Sequence, residues 1–284
     1  MSSPCSTRSD LPPPRRRLDA ELVRRGLVTS RTEAQEAIQA GLVTVDGAPA
    51  SKAASQVHAG QAVVVAAPPR TYVSRGGSKL AHGLDRFGVD PSGRRCLDAG
   101  VSTGGFTDCL RQRGAASVVA YDVGYGQVHD KLRRDPAVEV HERTNVRDLE
   151  PQDVPPPAPD LLVADLSFIA LRTVLPTLRR LVAADAEALV LVKPQFEAAR
   201  GEVGKGGVVR DPTVWARVLT EVATAAAEVG WLRFAATASP LLGPAGNVEF
   251  LAHLAGGPAS SADEVAGAVA AAVAEGIAHR ETSP

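Results

Sequence analysis

Four charged residues each close an apolar run: Asp98 after Cys96-Leu97, Asp122 after Val118-Val119-Ala120-Tyr121, Asp165 after Leu161-Leu162-Val163-Ala164, and Lys193 after Ala188-Leu189-Val190-Leu191-Val192. Runs this short and apolar, alternating with helix-like segments, read as strands of a sheet buried on both faces. In such sheets ligands lie beyond the carboxyl ends of the strands, so the pattern predicts three acids and a lysine at one edge. Solvation alone is a poor reason for four strands each to end in charge. The first of them runs into Gly100, Gly104 and Gly105, a turn whose backbone can lie against a ligand where a Cβ would collide; a branched side chain at Gly104 would then enter the ligand volume. Ser102 or Thr103 is placed to cap a helix over 106–113, which stops at Gly114. Asp122 stands at roughly the 20-residue offset where such folds put a carboxylate on ribose hydroxyls. That favours a nucleoside-type cofactor over a turn built only for packing.

The chain that must position these groups has 284 residues, 44% apolar and 22% charged, enough for one large and one small domain. No run approaches the roughly 18 apolar residues that cross a bilayer. Residues 1–17 are rich in Ser, Pro and Arg without an apolar centre, so they read as no secretory signal, with a disordered basic arm over 1–14. Cys5, Cys96 and Cys109 are odd in number and scattered, and the six histidines show no ligand spacing, so neither a disulfide framework nor a metal is expected. This usage fits a reducing compartment, the cytoplasm. The net charge of −1 hides an asymmetry: residues 1–70 hold nine Lys/Arg against six Asp/Glu, the remainder 22 against 26. A small basic module ahead of an acidic body fits a polyanion grip tethered to chemistry.

In the front module, 18–25 reads as a helix with Leu18 and Leu22 on one face. Ser30-Arg31-Thr32-Glu33 is a capping box for a second helix with the stripe Ala34, Ala37, Ile38. Short strands follow around the Asp46-Gly47 turn and at Val63-Val64-Val65. Arg16, Arg17, Arg24, Arg25 and Arg31 sit at or near the helix ends, able to pair with phosphates or stack on unpaired bases. The module spans 15–67, and the proline-stiffened stretch 68–73 is a linker.

Beyond it, Ser74-Arg75-Gly76-Gly77-Ser78-Lys79-Leu80 opens a helix with Leu80, Leu84 and Phe87 as its stripe. Residues 125–134 read as a helix and 138–140 as a strand leading to Asn145, whose amide can face a base edge or serve a turn. Gly201-Glu202-Val203-Gly204-Lys205-Gly206-Gly207 fails as a phosphate-binding loop, because Gly rather than Ser or Thr follows the lysine; it reads as an active-site flap. A helix over 213–229 and strands over 231–238 and 248–254 follow, with Glu249 near the start of the last. Residues 259–284 form an Ala-rich closing helix entered through a Ser-x-x-Glu box at Ser261.

The stretch Asp98-Ala-Gly-Val-Ser-Thr-Gly-Gly-Phe106 resembles the S-adenosylmethionine loop of the FtsJ-like RNA 2′-O-methyltransferases, and of the TlyA family in particular. Ser-Arg-Gly-Gly-Ser-Lys, Ala-Asp-Leu-Ser-Phe-Ile, Val-Lys-Pro-Gln-Phe-Glu and Gly-Asn-Val-Glu-Phe follow that family's order over nearly all of the chain past residue 15. The front module resembles the RNA-binding domain named after ribosomal protein S-four. The resemblance implies an α/β, Rossmann-like methyltransferase domain over 74–258, a mostly parallel sheet with helices on both faces, behind a small α+β RNA-binding domain. It further implies S-adenosylmethionine held by Asp98, Gly100, Ser102, Thr103, Gly104, Gly105, Phe106, Asp122, Asn145 and Asp165, and a tetrad of Lys79, Asp165, Lys193 and Glu249. Gly77-Ser78 departs from the family, where a bulkier or imidazole side chain is expected before the lysine. The implied reaction is 2′-O-methylation of ribosomal RNA, most readily at cytidine, by a monomer acting on ribosomal subunits without membrane or metal. Lys193 either takes the hydroxyl proton or only orients the oxygen. Rival expectations are a catalytically silent RNA-binding assembly factor and, from names in the family, a membrane-active haemolysin.

Overall fold

A computed structural model describes residues 15–28, 31–39, 41–66 and 71–282. The proposed arm over 1–14, Cys5, Ser30 of the capping box with the Glu33 side chain, and the prolines of the linker lie outside the described residues. The chain divides after Arg70 into two compact units.

In the first unit, β1 (Arg15–Arg17) leads into α1 (Leu18–Arg24) and α2 (Arg31–Gln39), followed by β2 (Val43–Val45), β3 (Ala48–Pro49), β4 (Gln56–His58) and β5 (Val63–Val65). Leu18 and Leu22, one helical turn apart, meet Ala34 and Ile38 of α2 and the strand valines in one small core. Asp46 and Gly47 both take positive φ, which turns β2 into β3, and β5 covers β2 from the other side. The pairing of β1 with β4 is a feature the sequence reading missed. Three consecutive arginines carry no strand periodicity, and backbone bonds to Gln56–His58 supply the order instead.

The second unit is built on a seven-stranded sheet. Its elements are α3 (Arg75–Phe87), β6 (Arg95–Ala99), α4 (Gly105–Gln112), β7 (Ser117–Tyr121), α5 (Asp130–Arg133), β8 (Val138–His141), β9 (Leu161–Ala164), α6 (Leu171–Arg180), β10 (Glu187–Val192), α7 (Pro194–Glu197), α8 (Pro212–Glu228), β11 (Arg233–Ala238), β12 (Phe250–Ala255) and α9 (Ala262–Thr282). Strand order is β11-β12-β10-β9-β6-β7-β8; the five strands from β10 to β8 are parallel, and β12 runs against both its neighbours. Alternate side chains divide between two cores. Leu162, Ala164, Val190 and Val192 meet α6, α8 and α9, whereas Leu161, Val163, Leu189 and Leu191 meet α3 and α4. Each fully buried leucine contributes about 2 kcal/mol, so a helix layer on both faces is what this all-apolar sheet requires.

Several local expectations change. Neither Ser102 nor Thr103 caps α4: the N-cap is Gly104 at φ 98. The helix expected over 125–134 shrinks to α5, because Gly126 at φ 71 holds an open loop and His129, accepting from the Lys131 amide, starts the helix late. Asp98 lies within β6 rather than at its end, and α9 packs on β11 and α8 within the same unit. The 201–207 stretch is pinned by a bridge from Gly204 to Val208 and by Asn247, whose amide bonds Gly207 O and the Val209 N–H at 2.9 Å each.

Candidate active site

Parallel register brings Ala99 level with Tyr121 on one side and Ala164 on the other, so the residues that follow these strands emerge together. They line a cleft of about 480 Å³ shared by Gly100, Ser102, Asp122, Asn145, Asp165 and Phe168. Asp122 is fixed from two sides, Oδ2 accepting the Ser102 N–H at 2.7 Å and Oδ1 the Gly124 N–H at 2.6 Å. Each oxygen keeps lone-pair capacity for a ligand. Gly100, at φ 93, is required by close approach: a Cβ there would stand 2.6 Å from the Asp165 carbonyl. Asn145 lines the cleft and also serves a turn, its side-chain oxygen accepting the Arg147 N–H.

Beneath this floor Asp98 is wholly buried. Its Oδ2 accepts the Thr107 hydroxyl at 2.6 Å, while Oδ1 has no partner. Burial, with the charges of Asp165 and Asp122 adding to it, pushes the Asp98 carboxyl up to about 7 despite the Thr107 bond. Asp122 and Asp165 line the cleft, and the buried Asp98 is close enough to feel both charges, so the site favours positive charge.

The four residues of the expected tetrad resolve into two ion pairs. Lys193 Nζ stands 2.6 Å from Asp165 Oδ1 and directs a 2.9 Å hydrogen bond at Ser167 Oγ. Asp165 Oδ1 receives no aligned hydrogen bond, so charge alone ties it to the lysine. Lys79, entering the second turn of α3, pairs with Glu249 in a contact where both side chains are almost wholly buried. Glu249 reaches this region because Val192 lies opposite Phe250 in the antiparallel ladder, which sets the next residues, Lys193 and Glu249, on neighbouring strand ends. A Cβ at residue 243 would crowd the Glu249 carboxylate at 2.5 Å, so Gly243 makes the room for it.

Other expected cofactor residues stand outside the cleft lining. Thr103 is exposed, and its carbonyl accepts the His129 N–H. Gly104, Gly105 and Phe106 are buried against neighbouring segments: a Cβ on Gly104 would meet Leu132 at 2.1 Å and one on Gly105 would meet Ser74 at 2.1 Å, while Phe106 packs in the α3–α4 core. A branched side chain at Gly104 therefore collides with packing, and the expectation that it enters ligand space is corrected.

In the first unit, the five expected RNA-contacting arginines gather around two buried acids. Asp19 holds Arg17 and Arg31, and Glu21 holds Arg24 and Arg25, with Arg16 at 4.0 Å. These guanidiniums hold Asp19 far below the usual carboxylate range and Glu21 down to about 2. All but Arg25 remain about half exposed, aimed but not consumed.

Sequence reading gave no role to Ser167 or Asn247, although both lie inside quoted motifs, and it passed over the loop positions Arg147 and Tyr125. Exposure separates the aromatics. Phe168 is 91% exposed at φ 64 with its ring 5.2 Å from Phe196, and Tyr125 is 66% exposed with the Arg143 guanidinium 4.0 Å from its ring centre. Among the described residues no group of three or more His, Cys, Asp or Glu is placed to hold a metal ion.

The FtsJ-like methyltransferase family matches residues 72–255, and the S4 domain matches 16–63. The chain is 54% identical over 241 residues to the 16S/23S rRNA (cytidine-2′-O)-methyltransferase TlyA of Mycobacterium tuberculosis, covering 84% of this chain and 90% of that one. It is 37% identical over 237 residues to Hemolysin A of Brachyspira hyodysenteriae, covering 84% and 98%. A solved hemolysin-named structure from Streptococcus thermophilus matches with a TM-score of 0.70 at 34% identity, over 95% of this chain and 99% of that one.

Proposed function

The chain belongs to the FtsJ-like methyltransferase family, and from that premise we propose that it transfers a methyl group from S-adenosylmethionine to a ribose 2′-hydroxyl of ribosomal RNA, at cytidine. The observation that carries this is the pairing of Lys193 with Asp165, a residue lining a cleft whose walls suit a cationic nucleoside. The fit rests on the donor set. Asp122 and Asp165 line the cleft, Asp165 Oδ1 being already matched by Lys193, and the buried Asp98 Oδ1 has no hydrogen-bond donor, so the oxygen left without a cation beside this site is that of Asp98. The volume falls within the range of small-molecule sites.

Asp122, with both oxygens oriented by backbone N–H groups, takes the cofactor's ribose hydroxyls. Asn145 lies at the base end, and the Gly100 backbone lets the chain pass close. When bound, the cofactor would supply an electrophilic methyl carbon on a sulfonium: the acceptor oxygen would form the new O–C bond as the C–S bond breaks, the thioether leaving as S-adenosylhomocysteine and the hydroxyl proton passing to solvent. Lys193 meets that oxygen. An ammonium has three N–H donors, and the one aligned bond made here goes to Ser167, so donors remain to hold an oxygen lone pair in line. This arrangement supports the orienting role over proton abstraction. Asp165 keeps Nζ in place, while Lys79 and Glu249, paired with one another, anchor α3 to the start of β12.

The exposed Phe168 ring beside Ser167 and the Tyr125–Arg143 stack suit unpaired nucleotides, whose faces stack on aromatics and guanidinium planes. The S4-matched unit supplies the phosphate grip, and the partners are ribosomal subunits, met in the cytoplasm by a monomer. Toward the haemolysin reading, no helix among the described residues is long and apolar enough to cross a membrane. The test is methyl incorporation from labelled S-adenosylmethionine into ribosomal subunits. Replacing the target nucleotide by its 2′-deoxy form should eliminate turnover while binding persists; continued transfer would place the methyl on the base.

A further inference from the structure

Glu197, the last residue of α7, is 4% exposed and stands outside the cleft lining. Its Oε1 accepts the N–H of Leu171, the first residue of α6. The N-cap of α6 is Ala170, which has no side-chain acceptor, so the cap comes from a distant segment. The other oxygen, Oε2, has no hydrogen-bond partner. The nearest cation, Arg172, is 3.9 Å away and directs its guanidinium at the Glu197 carbonyl and at Glu221. Burial raises the Glu197 carboxyl above the usual range. A serine or aspartate at position 170 would cap the helix at far smaller desolvation cost.

What a local cap could not do is join the two segments that carry the reacting groups. Asp165, Ser167 and Phe168 lie on the stretch from β9 to α6, and Lys193 and Phe196 on the stretch after β10. Lys193 ties these segments together at one end, the Phe168 and Phe196 rings meet at 5.2 Å between, and Glu197 holding Leu171 closes the far end. Phe168 sits at φ 64, a conformation unfavourable for a bulky residue, so the loop that bears it needs to be held. Resting on the methyl-transfer reading, we propose that Glu197 is a positioning residue: by gripping the first N–H of α6 it fixes the Asp165–Phe168 loop against Lys193, and so sets the aim of Lys193 at the acceptor oxygen.

The experiment compares Glu197→Ala, Glu197→Gln and Glu197→Asp in the full chain. Single-turnover methyl transfer to ribosomal subunits is read beside S-adenosylmethionine affinity by calorimetry. The unaltered chain is run first; if it transfers no methyl group, the reading of the site fails and not the role of Glu197. With transfer present, Glu197→Ala should slow the chemical step about 100-fold, the scale of a small misplacement of reacting groups. Cofactor affinity should stay within about threefold, because Asp122 and Asn145 lie in the segments after β7 and β8 and are held there by Ser102, Gly124 and Arg147, none of which Glu197 touches. Glu197→Gln keeps the accepting oxygen and should recover the rate to within about fivefold, whereas Glu197→Asp, one methylene short, should resemble Ala. A Glu197→Ala rate within threefold of the parent overturns the proposal. So does a Gln variant as slow as Ala, which would assign the effect to charge, and so does a parallel loss of rate and cofactor affinity, which would assign it to general loosening. Should the Ala variant fail to fold, the Gln and Asp variants decide: equal rates overturn the proposal.

Discussion

The two lysine–carboxylate pairs of the methyltransferase unit use the same chemical groups in opposite surroundings. Lys79 and Glu249 are closed off, joining α3 to the start of β12, while Asp165 lines the cleft and its side chain and that of Lys193 stay 25% and 11% exposed. Removing one partner of a buried pair leaves an uncompensated charge, whereas removing one partner of an open pair leaves a charge that water can reach. We propose on this ground that the four residues of the expected tetrad divide into a pair whose loss strikes the fold and a pair whose loss strikes the chemistry.

The largest expected effect breaks the closed pair. Glu249→Ala should destabilise the protein by about 3–5 kcal/mol, read by denaturant unfolding, because the Lys79 ammonium is left buried alone. A Lys79→Met, Glu249→Leu double variant should regain most of that stability. If Glu249→Ala costs under about 1 kcal/mol, the closed pair is no structural device.

Lys193→Ala should do the reverse. Methyl transfer should fall by about a thousandfold, while unfolding free energy stays within about 1 kcal/mol. Loss of stability matching that of Glu249→Ala would erase the distinction.

Proton linkage at Asp98, which feels the charge of Asp165, sharpens the comparison. With its folded-state pKa raised to about 7, Asp98 keeps a proton between about pH 4 and 7 that the unfolded chain has lost, so the stability it contributes declines as pH rises through that window. A bound cation favours the ionised acid. Cofactor affinity should therefore strengthen from pH 6 to 8, by under tenfold per unit, and the thermal shift on adding S-adenosylmethionine should grow accordingly. An affinity that is flat over this range would detach Asp98 from the cofactor's charge.

The smallest effect belongs to Ser167→Ala. It removes the one aligned hydrogen bond of Lys193 and should slow transfer by about three- to tenfold without altering the melting temperature. A loss as large as that of Lys193→Ala would make the hydroxyl a participant in its own right.

The strands and their charged ends were legible because an all-apolar run closed by charge has few other meanings, and Asp122, Asp165 and Lys193 stand at one edge accordingly. What a one-dimensional pattern hides is which glycine faces what. Gly100 lies at the cleft, but Gly104 and Gly105 yield space to Leu132 and Ser74, a fact that depends on α5 and on the segment before α3. The partner of each lysine was equally hidden. Register across β10 and β12 decides it, and register belongs to the ladder rather than to either strand. Gly126 at φ 71 delayed the start of the expected helix to Asp130, and the loop before it carries the exposed Tyr125.

Two buried acids clasping five arginines in the first unit change the ion atmosphere of that face. Arg16, Arg17, Arg24, Arg25 and Arg31 against Asp19 and Glu21 leave a net of three positive charges, so a polyanion docking there should release about three counterions rather than five. The logarithmic salt slope of RNA binding would then read the arithmetic of the whole cluster, and a count of arginines alone would overstate how steeply salt dislodges the RNA.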